Sequence, residues 1–138
     1  MSVALRRNRY VPAIRLLAVK LLLAVPDKVG VEGPLVMVHA IDEIRSAQPE
    51  YLVGVHGLPV IGGESVRACL NDYRDSIQYL WDQTVRGINA AMTPDELAAT
   101  IELPPRLQSS PWVQPLYGET PYHVRAIHNG LFGWFGGY

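Results

Sequence analysis

Apolar and polar positions follow different rhythms along the chain. From Gly33 to Ala47 ("GPLVMVHAIDEIRSA"), Leu35, Val38, Ile41 and Ile44 recur at helical spacing, with Asp42, Glu43 and Arg45 on the opposite face. This pattern predicts an amphipathic helix. Pro34 suits its first turn, and Gln48-Pro49-Glu50 ends it. The apolar run Tyr51–Val55, "YLVGV", reads as a short buried strand. Helix, turn, strand and polar turn is the rhythm of a layered α/β unit. His56 stands at the carboxyl end of that strand, before the turn Gly57-Leu58-Pro59. Open α/β sheets bind ligands beyond their strand carboxyl ends, which makes His56 a candidate functional residue.

From Glu64 the pattern changes. Val66, Leu70, Tyr73, Ile77, Leu80, Thr84 and Ile88 are spaced by threes and fours, with Arg67, Asp72, Arg74, Asp75, Asp82 and Arg86 between them. The spacing approaches a heptad seam, weakened at Thr84. A helix of about 25 residues would span roughly 37 Å. A seam of that length is hard to cover within a small chain, so a partner helix or second subunit is expected on it. "TPDE" at 93–96 is a helix start: Thr93 caps, Pro94 fits the first turn and Glu96 completes a capping box. Pro104 and Pro105 forbid continuation. The same device returns near the end, where Thr120 caps, Pro121 starts and Gly130 stops a helix. The boundary between the two textures falls at Gly62–Gly63. The fold class expected is mixed α and β, mostly helical.

Composition adds little. The 138 residues are 49% hydrophobic and 18% charged, ordinary for a globular protein, and the net charge of −1 gives no electrostatic reason to expect nucleic acid. A single cysteine, Cys69, excludes an internal disulfide framework and fits a reducing compartment or indifference to redox; a cytoplasmic location is expected, or a periplasmic or secreted one if the native chain is longer. The N-terminal stretch has a basic start and then "LLAVKLLLAV", interrupted by Lys20. It is far shorter than the ~20 residues of a membrane span. It reads as a buried helix or strand rather than a signal. The aromatic, glycine-rich end "LFGWFGGY" needs cover.

Together these pieces resemble the alkyl sulfatases of the metallo-β-lactamase superfamily, zinc enzymes that hydrolyse sulfate esters of alkyl chains. The resemblance runs from about Gly33 to the C-terminus. Its landmarks are Arg74-Asp75, Asp82-Gln83-Thr84, Asn89, Thr93 to Glu96 and Leu103-Pro104-Pro105, followed by "YGETPYHVRAIHNGLFGWFGG". It implies that residues 1–62 are the C-terminal part of a metallo-β-lactamase-like sandwich and that 63–138 are part of a helical dimerisation domain. It further implies that His56, followed after two residues by Pro59, is a zinc ligand, in a family whose sites hold two zinc ions. Tyr122 and His123 would border the leaving sulfate.

The chain also departs from that family. The superfamily's main ligand cluster, His-x-His-x-Asp-His, does not occur: the four histidines are His39, His56, His123 and His128. A catalytic zinc needs about three protein ligands and an open position. The chain is therefore expected to correspond to a piece of a larger enzyme and to be inactive alone. Aligned on Val124-Arg125-Ala126, the family's sulfate-contacting histidine falls on Tyr122, with His123 one place later, about 100° further around a helix. The family's arginines ahead of the metal histidine are missing, since residues 16–44 hold only Lys20 and Lys28 as strong cations.

Weaker candidates have plainer explanations. "GGES" at 62–65 could offer N–H groups to an anion but reads as a boundary turn. His39 reads as a half-buried helical histidine. Cys69, with no base beside it, reads as a packing residue. Asp72, Asp75 and Asp82 lie among arginines and read as a solvated charged face. Two functions remain open. One is a part of a zinc-dependent alkylsulfatase-like hydrolase acting on an alkyl sulfate-type molecule. The other is a non-catalytic association module. Both imply a homodimer, expected through the helix at 64–91, where Ile77→Asp would place a carboxylate in the seam.

Overall fold

The computed structural model describes residues 33–54, 57–115 and 118–132. It comprises α1 (Gly33–Ser46), β1 (Tyr51–Leu52), β2 (Val60–Ile61), α2 (Gly63–Asn89), α3 (Pro94–Thr100), α4 (Pro105–Gln108) and α5 (Thr120–Phe132). The described chain is mostly helical with one small sheet, the expected fold class.

α1 buries Val38, Ile41 and Ile44, three of the four positions its periodicity marks. It ends where Gln48 takes a left-handed φ of 48° ahead of Pro49, which cannot continue a helix. The strand that follows is shorter than expected. β1 holds two residues and pairs antiparallel with β2, matching Tyr51 to Ile61 and Leu52 to Val60. Side chains alternate across a pleat, so Leu52 and Val60 pack on the core while Tyr51 and Ile61 are exposed. The run is thus a half-exposed ribbon rather than a buried strand. The ligand rule for open α/β sheets does not transfer to an antiparallel pair. Val55 and His56 lie outside the described residues.

Gly62, with φ 96°, turns the ribbon into α2 in a conformation that a side chain would strain. α2 is a 27-residue helix of about 40 Å. Its seam is filled largely from within the chain, with Tyr73 left exposed. On the first half, Val66 and Leu70 pack with Ile41 and Ile44 of α1, joined by half-buried Leu52, Val60 and Ile77. On the second half, Leu80 packs with Leu97 of α3 and with Val124 and Ile127 of α5. Thr84 is fully buried, and its hydroxyl donates to the Leu80 carbonyl at 2.7 Å, so the polar position in the stripe is satisfied. Within the described chain the seam is thus largely covered, with Ile77 packed at the contact between α1 and α2.

The α2–α3 hairpin is tight. A Cβ on Gly87 would overlap the Leu97 side chain. Thr93 caps α3: its hydroxyl accepts from the Glu96 amide at 3.3 Å, and the Glu96 carboxylate accepts from the Thr93 amide at 2.8 Å. That is the capping box read from "TPDE". At α5 the expectation shifts at both ends. Glu119 O accepts the first helical amides, so Thr120 lies inside the helix, and the helix runs past Gly130 to Phe132.

Gly87→Ala is expected to destabilise the fold by about 1–3 kcal/mol through overpacking. Gly130→Ala, with no atom within 4 Å of the new methyl, should stabilise it by about 0.5–1 kcal/mol. Urea unfolding followed by circular dichroism checks both, and equal effects of the two would contradict the described hairpin.

Candidate functional site

Tyr122 and His123 occupy the first turn of α5 and are exposed, Tyr122 at 69%. The His123 ring lies beside the Gly118 backbone, its Nε2 3.5 Å from where a Cβ would stand. Neither side chain donates to or accepts from another described residue. His39 is exposed on α1 rather than half-buried, because position 39 lies between the buried turns of Val38 and Ile41. His128 is half-buried on α5, stacked on Phe132 with ring centroids 5.0 Å apart. Among the described residues no three His, Cys, Asp or Glu side chains converge to hold a metal.

The acidic row on α2 has a structural use that its sequence did not disclose. Arg106 of α4 bonds both Asp72 and Asp75, the latter at 2.9 Å. Arg74 donates from Nε to Asp42 of α1 at 2.9 Å. Arg125 of α5 pairs with Asp95 of α3. These exposed pairs link elements across the charged face that the sequence predicts. The available signal was the i, i+3 spacing of Asp72 and Asp75, which puts both on one side of a helix. Asp82 accepts from Gln78.

The charges follow from these contacts. The Ser110 hydroxyl holds the Asp72 carboxyl below its ordinary range, and Arg106 reinforces this against the opposite pull of burial. For Asp42, burial raises the carboxyl, but the hydrogen bonds from Arg74 and Arg45 outweigh it and the net direction is down. Burial, and then the nearby Asp72 charge, push the Cys69 thiol up, the direction that suits packing rather than nucleophilic attack.

The described residues form surface grooves, two of which lie along α2. One, of about 460 Å³, lies between the second half of α2 and α3, over Met92, Leu97 and Ile101, with Arg86 and Glu102 at its walls. The other, of about 330 Å³, lies where α1 leads to the start of α2, beside Glu50 and Arg67.

The family model for alkyl sulfatase dimerisation matches residues 93–138.

The chain carries an alkyl sulfatase dimerisation region.

Similarity reaches beyond that segment. The chain is 43% identical over 105 residues to a linear primary-alkylsulfatase of Pseudomonas sp., covering 75% of this chain and 20% of that protein. It is 28% identical over 98 residues to the alkyl/aryl-sulfatase BDS1 of Saccharomyces cerevisiae, covering 69% and 15%. A solved structure of a double mutant of the sec-alkyl sulfatase PisA1 superposes with a TM-score of 0.67 at 27% identity, over 76% of this chain and 17% of that one. The chain spans a fifth or less of the length of these relatives. Within it, the dimerisation region begins at Thr93, the cap of α3, and takes in α3, α4 and α5, of which Leu97 of α3 and Val124 and Ile127 of α5 pack with Leu80 of α2. Among the described residues no helix is long and apolar enough to cross a membrane.

The lowered carboxylates give a pH dependence of definite sign. A group whose folded pKa is depressed stabilises the fold above its unfolded pKa of about 3.9, and that contribution is lost as pH falls through the folded value. The urea midpoint should therefore fall as pH drops from ~5 toward ~2. In Asp72→Asn the fall should be shallower, from a lower starting stability. A variant with an unchanged slope would show that the Asp72 clamp does not form.

Proposed function

We propose that this chain is the association region of an alkylsulfatase-type hydrolase. It holds two protomers together, and sulfate-ester cleavage depends on groups supplied by the rest of such an enzyme. The match of residues 93–138 to the dimerisation family carries this reading, and the relatives named as alkylsulfatases supply the reaction class.

The resemblance implies zinc, which would activate a water for attack on the ester. The described residues do not by themselves form a zinc site. His56 is the one candidate ligand in this chain and lies outside the described residues. Tyr122 and His123, at the exposed start of α5, are side chains that could border a sulfate. Their part would be to donate hydrogen bonds to its oxygens, with no proton transfer assigned to either.

A second reading is a non-catalytic association module, in which α2 fills most of its seam from within. A helical unit packed in this way has the contacts to fold without a catalytic domain around it.

The isolated chain should bind zinc substoichiometrically and leave dodecyl sulfate intact. The decisive test transplants this chain's segment into the 43%-identical alkylsulfatase in place of the matching one. The chimera should turn over, His56→Ala should lose zinc and activity together, and Tyr122→Phe should raise KM more than it lowers kcat. A His56→Ala chimera with full zinc and full turnover would remove His56 from the metal site.

A further inference from the structure

Most of the seam of α2 is occupied within the chain, which directs self-association to the helix's other exposed positions. We propose that the groove between the second half of α2 and α3 is a two-fold contact for a second copy of this chain, with Arg86 of each protomer against Glu102 of the other. This rests on the self-association reading above. The groove measures about 460 Å³ and is lined by half-buried Met92 and Ile101 above the buried Leu97. Arg86 and Glu102 both line it and both are exposed. Arg45, Arg74, Arg106 and Arg125 each hold an aspartate. Arg86 and Glu102 pair with nothing among the described residues, including each other.

An apolar floor with a charged rim has the layout of a protein contact. The charges choose the occupant. A small anion would meet Glu102 and a small cation would meet Arg86, so neither suits the groove. A second copy related by a two-fold axis presents the same patch, and each such contact occurs twice. Both charges are then paired on both sides. Leu97, Ile101 and Glu102 also belong to the segment that matches the dimerisation family.

Sedimentation equilibrium of the whole chain tests this with Arg86→Glu, Glu102→Arg, their equimolar mixture and Arg67→Glu. Arg67 is also unpaired among the described residues but lies at the other groove. Each groove variant alone brings like charges together and should raise the dimer dissociation constant roughly tenfold or more. The mixture should restore it. In the heterodimer the two substituted side chains meet each other with opposite charge on one side of the axis. On the other side, native Arg86 of one variant meets native Glu102 of the other. Arg67→Glu should match the wild type. Circular dichroism establishes that each variant is folded. Single variants as tight as wild type, or a mixture as weak as the singles, would overturn the groove assignment while self-association stood. A monomeric wild-type chain at tens of micromolar would overturn self-association and the groove with it.

Discussion

The line of apolar side chains from Val66 to Ile88 runs for about six turns of α2 and has to be kept from water. Burial of each large side chain is worth roughly 1.5–3 kcal/mol, so the seam dictates what the rest of the chain must supply. α1 and the ribbon cover the first half, and α3 and α5 cover the second. Each of these elements is too short to be stable alone. They are held in place because α2 offers them one continuous surface. Thr84 fits in that surface because its hydroxyl finds the Leu80 carbonyl.

Ion pairs then set the positions of the covering pieces. Asp42 ties α1 to Arg74, the Asp72 and Asp75 pair ties α4 to the outer face of α2, and Asp95 ties α3 to Arg125 of α5. Exposed pairs contribute little each. Their use here is geometric: α4 has one turn and one fully buried apolar side chain, Leu107, so Arg106 adds direction to a weak anchor. The region that matches alkyl sulfatase dimerisation is built on the second half of this arrangement, which ties the association role to the same helix that organises the core.

Much of this was legible in particular residues. The periodicity of Leu35 to Ile44 placed α1, and Thr93 with Glu96 placed the start of α3, because capping depends on side chains only three residues apart. The spacing from Val66 to Ile88 placed α2. What covers that helix was not legible, since the buried partners lie 17 to 47 residues away and periodicity records only that a face is apolar, not what meets it. β2 was missed because two residues within a glycine- and proline-rich turn carry no period. Gly130 was read as a stop, but a glycine ends a helix only where the chain takes a positive φ, and here the helix continues. Of the candidate site, the structure adds the exposure of Tyr122 and His123 at the start of α5. Their part in chemistry, and that of His56, rests on the family resemblance, because no metal-holding cluster lies among the described residues.

Hydrogen exchange of the α2 amides across a dilution series tests most directly whether the chain covers its own seam. Protection from Val66 to Ile88 should be the same in the dilute monomer as in the associated state, with the amides near Leu70 and Leu80 the slowest. Protection that collapses on dilution would show that a second copy, rather than α1, α3 and α5, covers the helix.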